Sequence, residues 1–511
     1  MIFNHFVQML DIDIGNSSNP IPNDRQWPVH ALTTLPIGSG PTGQIAKFMA
    51  KLIVSTLSPS SPTQDLLEQL LHSVRTAYHP HNEDAWSLPL AVLLRFLAVY
   101  YAKRHGRKQR NNVPIDQNEV DRFVKAVLDT ALLALYSSLE LMAAAAEHTL
   151  KALAYVSPKV VFDALLGEVF PSLDAVTETH RTMSAVKALY ATSVPLFNRR
   201  LHPQGAQHLQ PLLFACLPAI DANDLPKSVA ALSFYWSVFS IIPFHEPNIQ
   251  FQSVDGGSVD VHAVATPVKA SDSSSMITDG ENEEDARRAT MDLNEWALAF
   301  MQKLIDFVMH LDGGDSAERC RLNIILLRLL KRVSHSFFAC LSAPIHAQCS
   351  SKLINVIARQ LHLNARKPLG ILVSAASSSH ESSTFVNMAF DSLESRLQSS
   401  AHDCAVSELQ FSLSMLSSLV KRAGANLVPL VERIEKIVLH CIRHDEKKVR
   451  QCTRKLVSNT LRALTQAYPL EYASYPASWW TKSSNPKHWQ WWGRFHEVGC
   501  SRLSPVFDAG F

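Results

Sequence analysis

The chain has 511 residues, 47% of them hydrophobic, with 17 glycines and a formal net charge of +2 at pH 7. That length fits about three ordinary domains or one long solenoid, and the apolar fraction is ample for a buried core. The near-neutral balance argues against chain-wide binding to nucleic acid or membrane surfaces, and no run reaches the ~18 uninterrupted apolar residues of a membrane span.

Residues 1–44 are irregular and Pro-rich. Met1 to Leu10 lack the basic flank, apolar core and small-residue cleavage site of a secretory signal, so a soluble intracellular protein is expected. Gly38-Ser39-Gly40-Pro41-Thr42-Gly43 matches G-x-G-x-x-G, but a dinucleotide site needs a buried strand before it and a βαβ unit around it. Ala31 to Ile37 contains a proline and makes a poor strand, so a flexible pre-helix loop is the better reading.

A helix is predicted over Leu88 to Ala102, followed by the basic cluster Lys103, Arg104, Arg107, Lys108 and Arg110. Two readings stay open. The cluster is a nuclear-localisation signal or polyanion contact, or it is a solvated loop whose cations suit the preceding helix C-terminus. No aromatic residues interleave it, which counts against stacking on single strands, and no direct nucleic-acid contact is expected.

Asp116 with Glu119 three residues on gives a capping-box-like start. Val120, Phe123, Val124, Val127 and Leu128 then mark one apolar helix face. The next helix, Leu139 to Tyr155, is rich in alanine. Ser157-Pro158 starts another, since proline suits the first helical position. Further starts fall near Thr177, Pro203 and Asp224-Leu225-Pro226. Val229 to Ile242 is apolar almost all round, which predicts a helix sandwiched between neighbours.

Pro247 to Thr290 is poor in large apolar residues and carries Ser273 to Ser275 and the acidic Glu281, Glu283, Glu284 and Asp285. Such a composition buries too little surface to offset ordering entropy, so a disordered insertion is expected over 247–290. Helical patterns resume over Leu293 to Leu311, Glu318 to Leu341, Ala347 to Leu363, Phe385 to Leu397, Ala405 to Val420, Val428 to Ile442 and Lys447 to Tyr468. In the last of these, Lys447, Arg450 and Arg454 share one face with Lys448 and Lys455 beside them. This reads as an ordinary amphipathic helix with a candidate basic face. Residues 469–511 form an irregular tail with Trp479, Trp480, Trp489, Trp491 and Trp492.

Helix starts between Asp116 and Pro243 recur roughly every 20 residues, so helix pairs recur at about 40, the period of stacked helix hairpins. No two-residue alternation is sustained, so the fold class is all-α, an α-α superhelix. The layout expected is helical repeats over 45–246 and 291–468 around the 247–290 insertion, with 1–44 and 469–511 as irregular ends.

No chemistry is visible. The eight cysteines are scattered (Cys216, Cys320, Cys340, Cys349, Cys404, Cys441, Cys452, Cys500) with no C-x-x-C. Neither Cys340, His346 and Cys349 nor Cys441, His444 and Cys452 has a recognised zinc spacing. There is no G-x-S-x-G, P-loop or H-E-x-x-H motif. No catalytic residue, metal site or cofactor is expected, and the protein is expected not to be an enzyme.

Several segments resemble the family of large single-chain HEAT-repeat proteasome activators, the proteasome activator subunit 4 type. Leu212 to Pro243 (LLFACLPAIDANDLPKSVAALSFYWSVFSIIP) is similar to a family stretch with a Leu-Pro helix end, an Asp-x-Asn-Asp turn and a long apolar helix. Lys448 to Tyr472 resembles the family's basic helix and its Tyr-Pro-x-Glu-Tyr turn. His488-Trp489 and Trp491-Trp492-Gly493 sit where the family has a Trp-containing connection, and Thr63 to Arg104, with Tyr78-His79-Pro80 and Trp86, is also similar. The likeness covers most of 40–495.

The resemblance implies a HEAT- or armadillo-like solenoid that caps the 20S proteasome core particle and promotes degradation without ubiquitin or ATP. It further implies links to acetylated histones and DNA repair, a nuclear and cytoplasmic location, and inositol phosphates bound at basic openings whose positions here are unassigned. Family members are several times longer, so a middle-region fragment is expected. They dock through a hydrophobic-Tyr-any tail, which Asp508-Ala509-Gly510-Phe511 does not match. The alternative reading is a helical-repeat adaptor or importin-like carrier.

Overall fold

The computed structural model describes residues 41–58, 62–80, 87–174, 179–198, 201–242, 293–311, 317–359, 364–378, 382–399 and 406–465. The expected insertion at 247–290, the Trp-rich stretch at 469–511 and all but the last residues of the 1–44 segment lie outside them. The described residues form 17 α-helices and no strand. In chain order these are α1 (Pro41–Thr56), α2 (Thr63–Ser73), α3 (Ser87–Arg110), α4 (Gln117–Ala134), α5 (Glu140–Ala154), α6 (Pro158–Asp174) and α7 (Thr179–Phe197). Then come α8 (Leu209–Ala215), α9 (Leu225–Ile241), α10 (Asn294–Met309), α11 (Ala317–Cys340) and α12 (Ala343–Arg359). The last five are α13 (Arg366–Ala376), α14 (Ser383–Ser399), α15 (Val406–Val420), α16 (Val431–Cys441) and α17 (Lys447–Thr465).

The helices stack in two rows. Every odd-numbered helix packs on the next odd one, from α1 on α3 through to α15 on α17. The even row runs α2, α4, α6, α8 and again α10, α12, α14, and each row covers the apolar side of the other. This is the α-α superhelix that the ~20-residue spacing predicts, because a hairpin buries its apolar face only by stacking on its neighbours. One continuous core of buried side chains threads the stack.

The starts follow from local chemistry. Asp116 accepts the amide of Asn118 (3.0 Å) and Asp224 that of Lys227 (3.0 Å), so both acidic residues cap their helices as the sequence predicts. All of Val229 to Ile242 but its last residue, the C-cap, falls in α9, which is flanked by α7 and α11 and buries Leu232, Phe234, Tyr235 and Phe239. Tyr235 donates its hydroxyl to Leu213 O (2.9 Å), and Tyr78 donates to Leu90 O (2.9 Å).

Two expectations need correction. The basic cluster at 103–110 is not a loop, because α3 continues to Arg110. Lysine, arginine and glutamine are good helix formers, cations favour a helix C-terminus, and together they outweigh Gly106. The helix stops at Asn112, whose φ of 51° is left-handed. There Val113 N bonds Lys108 O and Asn112 N bonds Gln109 O, a Schellman turn. The second correction is α13, which the periodicity reading passed over.

The rows join across α9, α10 and α11 through an aromatic cluster. Trp296 and Phe300 of α10 stack at 4.9 Å between ring centroids, Phe300 lies 4.8 Å from Tyr235, and Phe337 of α11 lies 5.0 Å from Phe300 and 5.5 Å from Phe239.

Candidate functional site: a cationic groove on the odd row

Four odd-row helices each turn a polar stripe toward one groove of about 630 Å³. On α17 the stripe is Lys448, Gln451, Cys452, Lys455 and Asn459, the i, i+3, i+4, i+7, i+11 positions of one face. On α15 it is Gln410, Ser414, Ser417 and Ser418, with Lys421 one turn beyond. Lys331 and His335 stand one turn apart on α11, and α13 contributes Arg366 and Lys367 at its start and Gly370 and Ser374 further along.

Small residues let these helices approach closely. A Cβ on Gly370 would lie 2.6 Å from Ser418 Oγ, so glycine leaves that hydroxyl its place between α13 and α15. Asn459 Nδ2 donates to Ser417 O (3.0 Å) and Ser417 Oγ (2.9 Å), fixing α17 on α15.

Among the described residues the groove carries six cations (Lys331, Arg366, Lys367, Lys421, Lys448, Lys455) and no carboxylate lines it. The even row is the contrast. Arg122 of α4 is held by Asp65 (2.6 Å) and Glu68 (2.7 Å) of α2, and Arg433 of α16 by Asp391 (2.6 Å) and Glu394 of α14. The even row thus pairs its arginines with acids, whereas the groove concentrates like charge. The ammonium of Lys421 titrates below the usual lysine range, first because burial disfavours its charge and then because Lys331, Arg422 and Lys455 repel it. Burial and then Arg422, Lys331 and Lys421 push His335 down to about 4, so it is neutral at pH 7.

The sequence-predicted residues fall unevenly. Lys448 and Lys455, the flanking pair, line the groove, whereas Lys447, Arg450 and Arg454 do not. Arg450 turns back to donate to His444 O (2.7 Å) and Asp445 O (2.6 Å). In the 103–110 cluster, Arg104 donates to Val54 O and Leu57 O (2.6 Å), covering carbonyls at the end of α1. Lys103, Arg107 and Arg110 are exposed and Lys108 is half-buried, all on the final turns of α3. Cys340 donates its thiol to Phe239 O (3.2 Å), and His346 lies 3.2 Å from Ala376 O. Among the described residues no group of His, Cys, Asp or Glu is arranged to hold a metal ion.

Lys331, Arg366, Lys367 and Lys421 escaped the sequence reading. One signal for α13 was present: Leu369, Leu372, Val373 and Ala376 keep the i, i+3, i+4, i+7 spacing behind a proline in the first turn.

A family profile described as "Proteasome activator complex subunit 4, mid HEAT repeats region" matches residues 67–504. The chain belongs to this family. Proteasome activator complex subunit 4 of Xenopus laevis is 23% identical over 458 residues, 82% of this chain and 23% of that protein. The Homo sapiens protein of the same name is 23% identical over 450 residues, 82% of this chain and 23% of its own length. Proteasome activator subunit 4 of Arabidopsis thaliana is 26% identical over 258 residues, 47% of this chain and 14% of that protein. The chain therefore spans about a quarter of the animal relatives it matches. Among solved structures, importin beta overlaps 91% of this chain and 52% of its own at a TM-score of 0.40 and 12% identity, a likeness too loose to bear on function. All four groove helices lie inside the region the proteasome activator family shares.

Proposed function

We propose that this chain is a segment of a proteasome activator's scaffold, working by binding and gating with no catalytic chemistry of its own. The observation that carries the reading is the match over 67–504 to a family named for proteasome activation. The continuous two-row stack supports it, since an extended solenoid offers the broad surface that binding a large particle requires.

The partner proposed is the end of the 20S core particle, and the outcome is ubiquitin- and ATP-independent breakdown of peptides and proteins, acetylated histones among them. A link to DNA repair, inositol phosphates and histones as further partners, and residence in nucleus and cytoplasm belong to the same proposal. No helix among the described residues is long and apolar enough to cross a membrane.

The test is hydrolysis of fluorogenic peptides by purified 20S particles titrated with the folded chain. The expected result is a rate that rises and saturates, with no hydrolysis by the chain alone. An unchanged 20S rate would sink the activator reading, and hydrolysis by the chain alone would sink the non-catalytic one.

A further inference from the structure

We propose that the groove across α11, α13, α15 and α17 is a docking site for an extended acidic peptide segment. Three observations converge on that occupant. The first is charge: among the described residues six cations and no carboxylate line one cavity, so the cations raise one another's energy until an anion arrives. The acids that neutralise Arg122, Arg396 and Arg433 elsewhere in the stack (Asp65 and Glu68, Glu408, Asp391 and Glu394) are not among the residues that line the groove.

The second is shape. Four helices packed side by side at ~8–10 Å span roughly 25–30 Å, the reach of about eight extended residues at ~3.3 Å each. Between the cations stand Gln410, Gln451, Ser414 and Ser418, short donors and acceptors suited to a peptide backbone.

The third is His335. Ser378 Oγ donates its proton to Ala375 O (2.7 Å), so the 2.9 Å contact between His335 Nδ1 and Ser378 Oγ needs the proton on Nδ1. That leaves Nε2 as a buried acceptor with no partner at the wall of a cationic groove. A peptide supplies carboxylates for the lysines and, once the imidazole turns to bring Nε2 to the groove surface, a backbone N–H for the histidine. A fully ionised polyphosphate supplies only acceptors, so the histidine favours the peptide.

The test is fluorescence anisotropy of labelled deca-glutamate titrated with the full chain. Binding is expected, weakening as salt rises from about 0.1 M to about 0.5 M because the groove is open to solvent. The Lys331→Gln/Lys421→Gln/Lys455→Gln variant is expected to bind about tenfold or more weakly, given the worth of several exposed charge pairs. A Lys103→Gln/Arg107→Gln/Arg110→Gln variant serves as the control and should bind within about twofold of the parent. Circular dichroism confirms folding, and if the first triple variant is destabilised, Lys448→Gln/Lys455→Gln replaces it. His335→Phe should weaken the peptide about threefold or more, the loss of one modest hydrogen bond, and leave inositol hexakisphosphate unaffected. Absence of peptide binding, equal losses in groove and control variants, or tight inositol hexakisphosphate binding that the peptide fails to displace would each overturn the proposal. These readouts involve no proteasome, so they stand or fall separately from the activator reading.

Discussion

Replacing Trp296 with alanine is expected to cost about 3–5 kcal/mol, the range for deleting a fully buried large aromatic side chain. The indole is fully buried and stands 4.9 Å from Phe300, 5.7 Å from Tyr235 and 5.9 Å from Phe239 between ring centroids. Its removal opens a cavity where α9, α10 and α11 meet. A stack of repeats is held by nearest-neighbour interfaces, so damage at one interface separates the blocks on either side. Hydrogen exchange read by mass spectrometry should show α9 to α11 losing protection in Trp296→Ala while α3 to α5 keep theirs. Unchanged protection at α9 to α11 would show that the aromatic cluster does not couple the two halves.

The second large effect is expected at Gly205. This buried glycine lies in the 3₁₀ turn Pro203–His208, where a Cβ would come within 1.8 Å of Leu196 O, a backbone atom at the end of α7. No rotamer relieves such a clash, so either the turn or the end of α7 must move. Gly205→Ala should lower stability by about 3 kcal/mol, the upper part of the range for overpacking. Urea unfolding followed by helix circular dichroism measures it, and a change within about 0.5 kcal/mol, typical of neutral surface substitutions, would show that the approach is looser than described.

The glycine prediction sits where the sequence was least readable, and for a physical reason. Helix starts at Asp116 and Asp224 were legible because a cap is a local bargain between one side chain and one or two amides nearby. The apolar sweep of Val229 to Ile242 was legible because a helix with neighbours on both sides needs no polar face. Helix α13 was not legible. Pro368 and Gly370 look like breakers in isolation, yet Pro368 sits in the first turn, where amides lack intrahelical partners. Gly370 is there for the contact with Ser418, far along the chain. Gly205 is the same case, since its requirement is set by Leu196 on another element.

The groove was hidden for a related reason. Its cations come one or two per helix from α11 to α17, and the net charge of +2 conceals them. The clusters that stand out in sequence, at 103–110 and 447–455, are dense along the chain, but density along a helix is not density in space. Arg104 is engaged by backbone carbonyls at the end of α1, and Arg450 by those of the turn just before its own helix. Only the stacking of alternate helices brings Lys331, Lys421 and Lys455 to one cavity.

The measurement that tests the account most directly is co-sedimentation of the folded chain with purified 20S proteasome on a glycerol gradient. The account predicts that the chain migrates with the particle and that excess unlabelled chain displaces it. A chain that is helical by circular dichroism and yet stays at the top of the gradient, at every particle concentration tried, would contradict it.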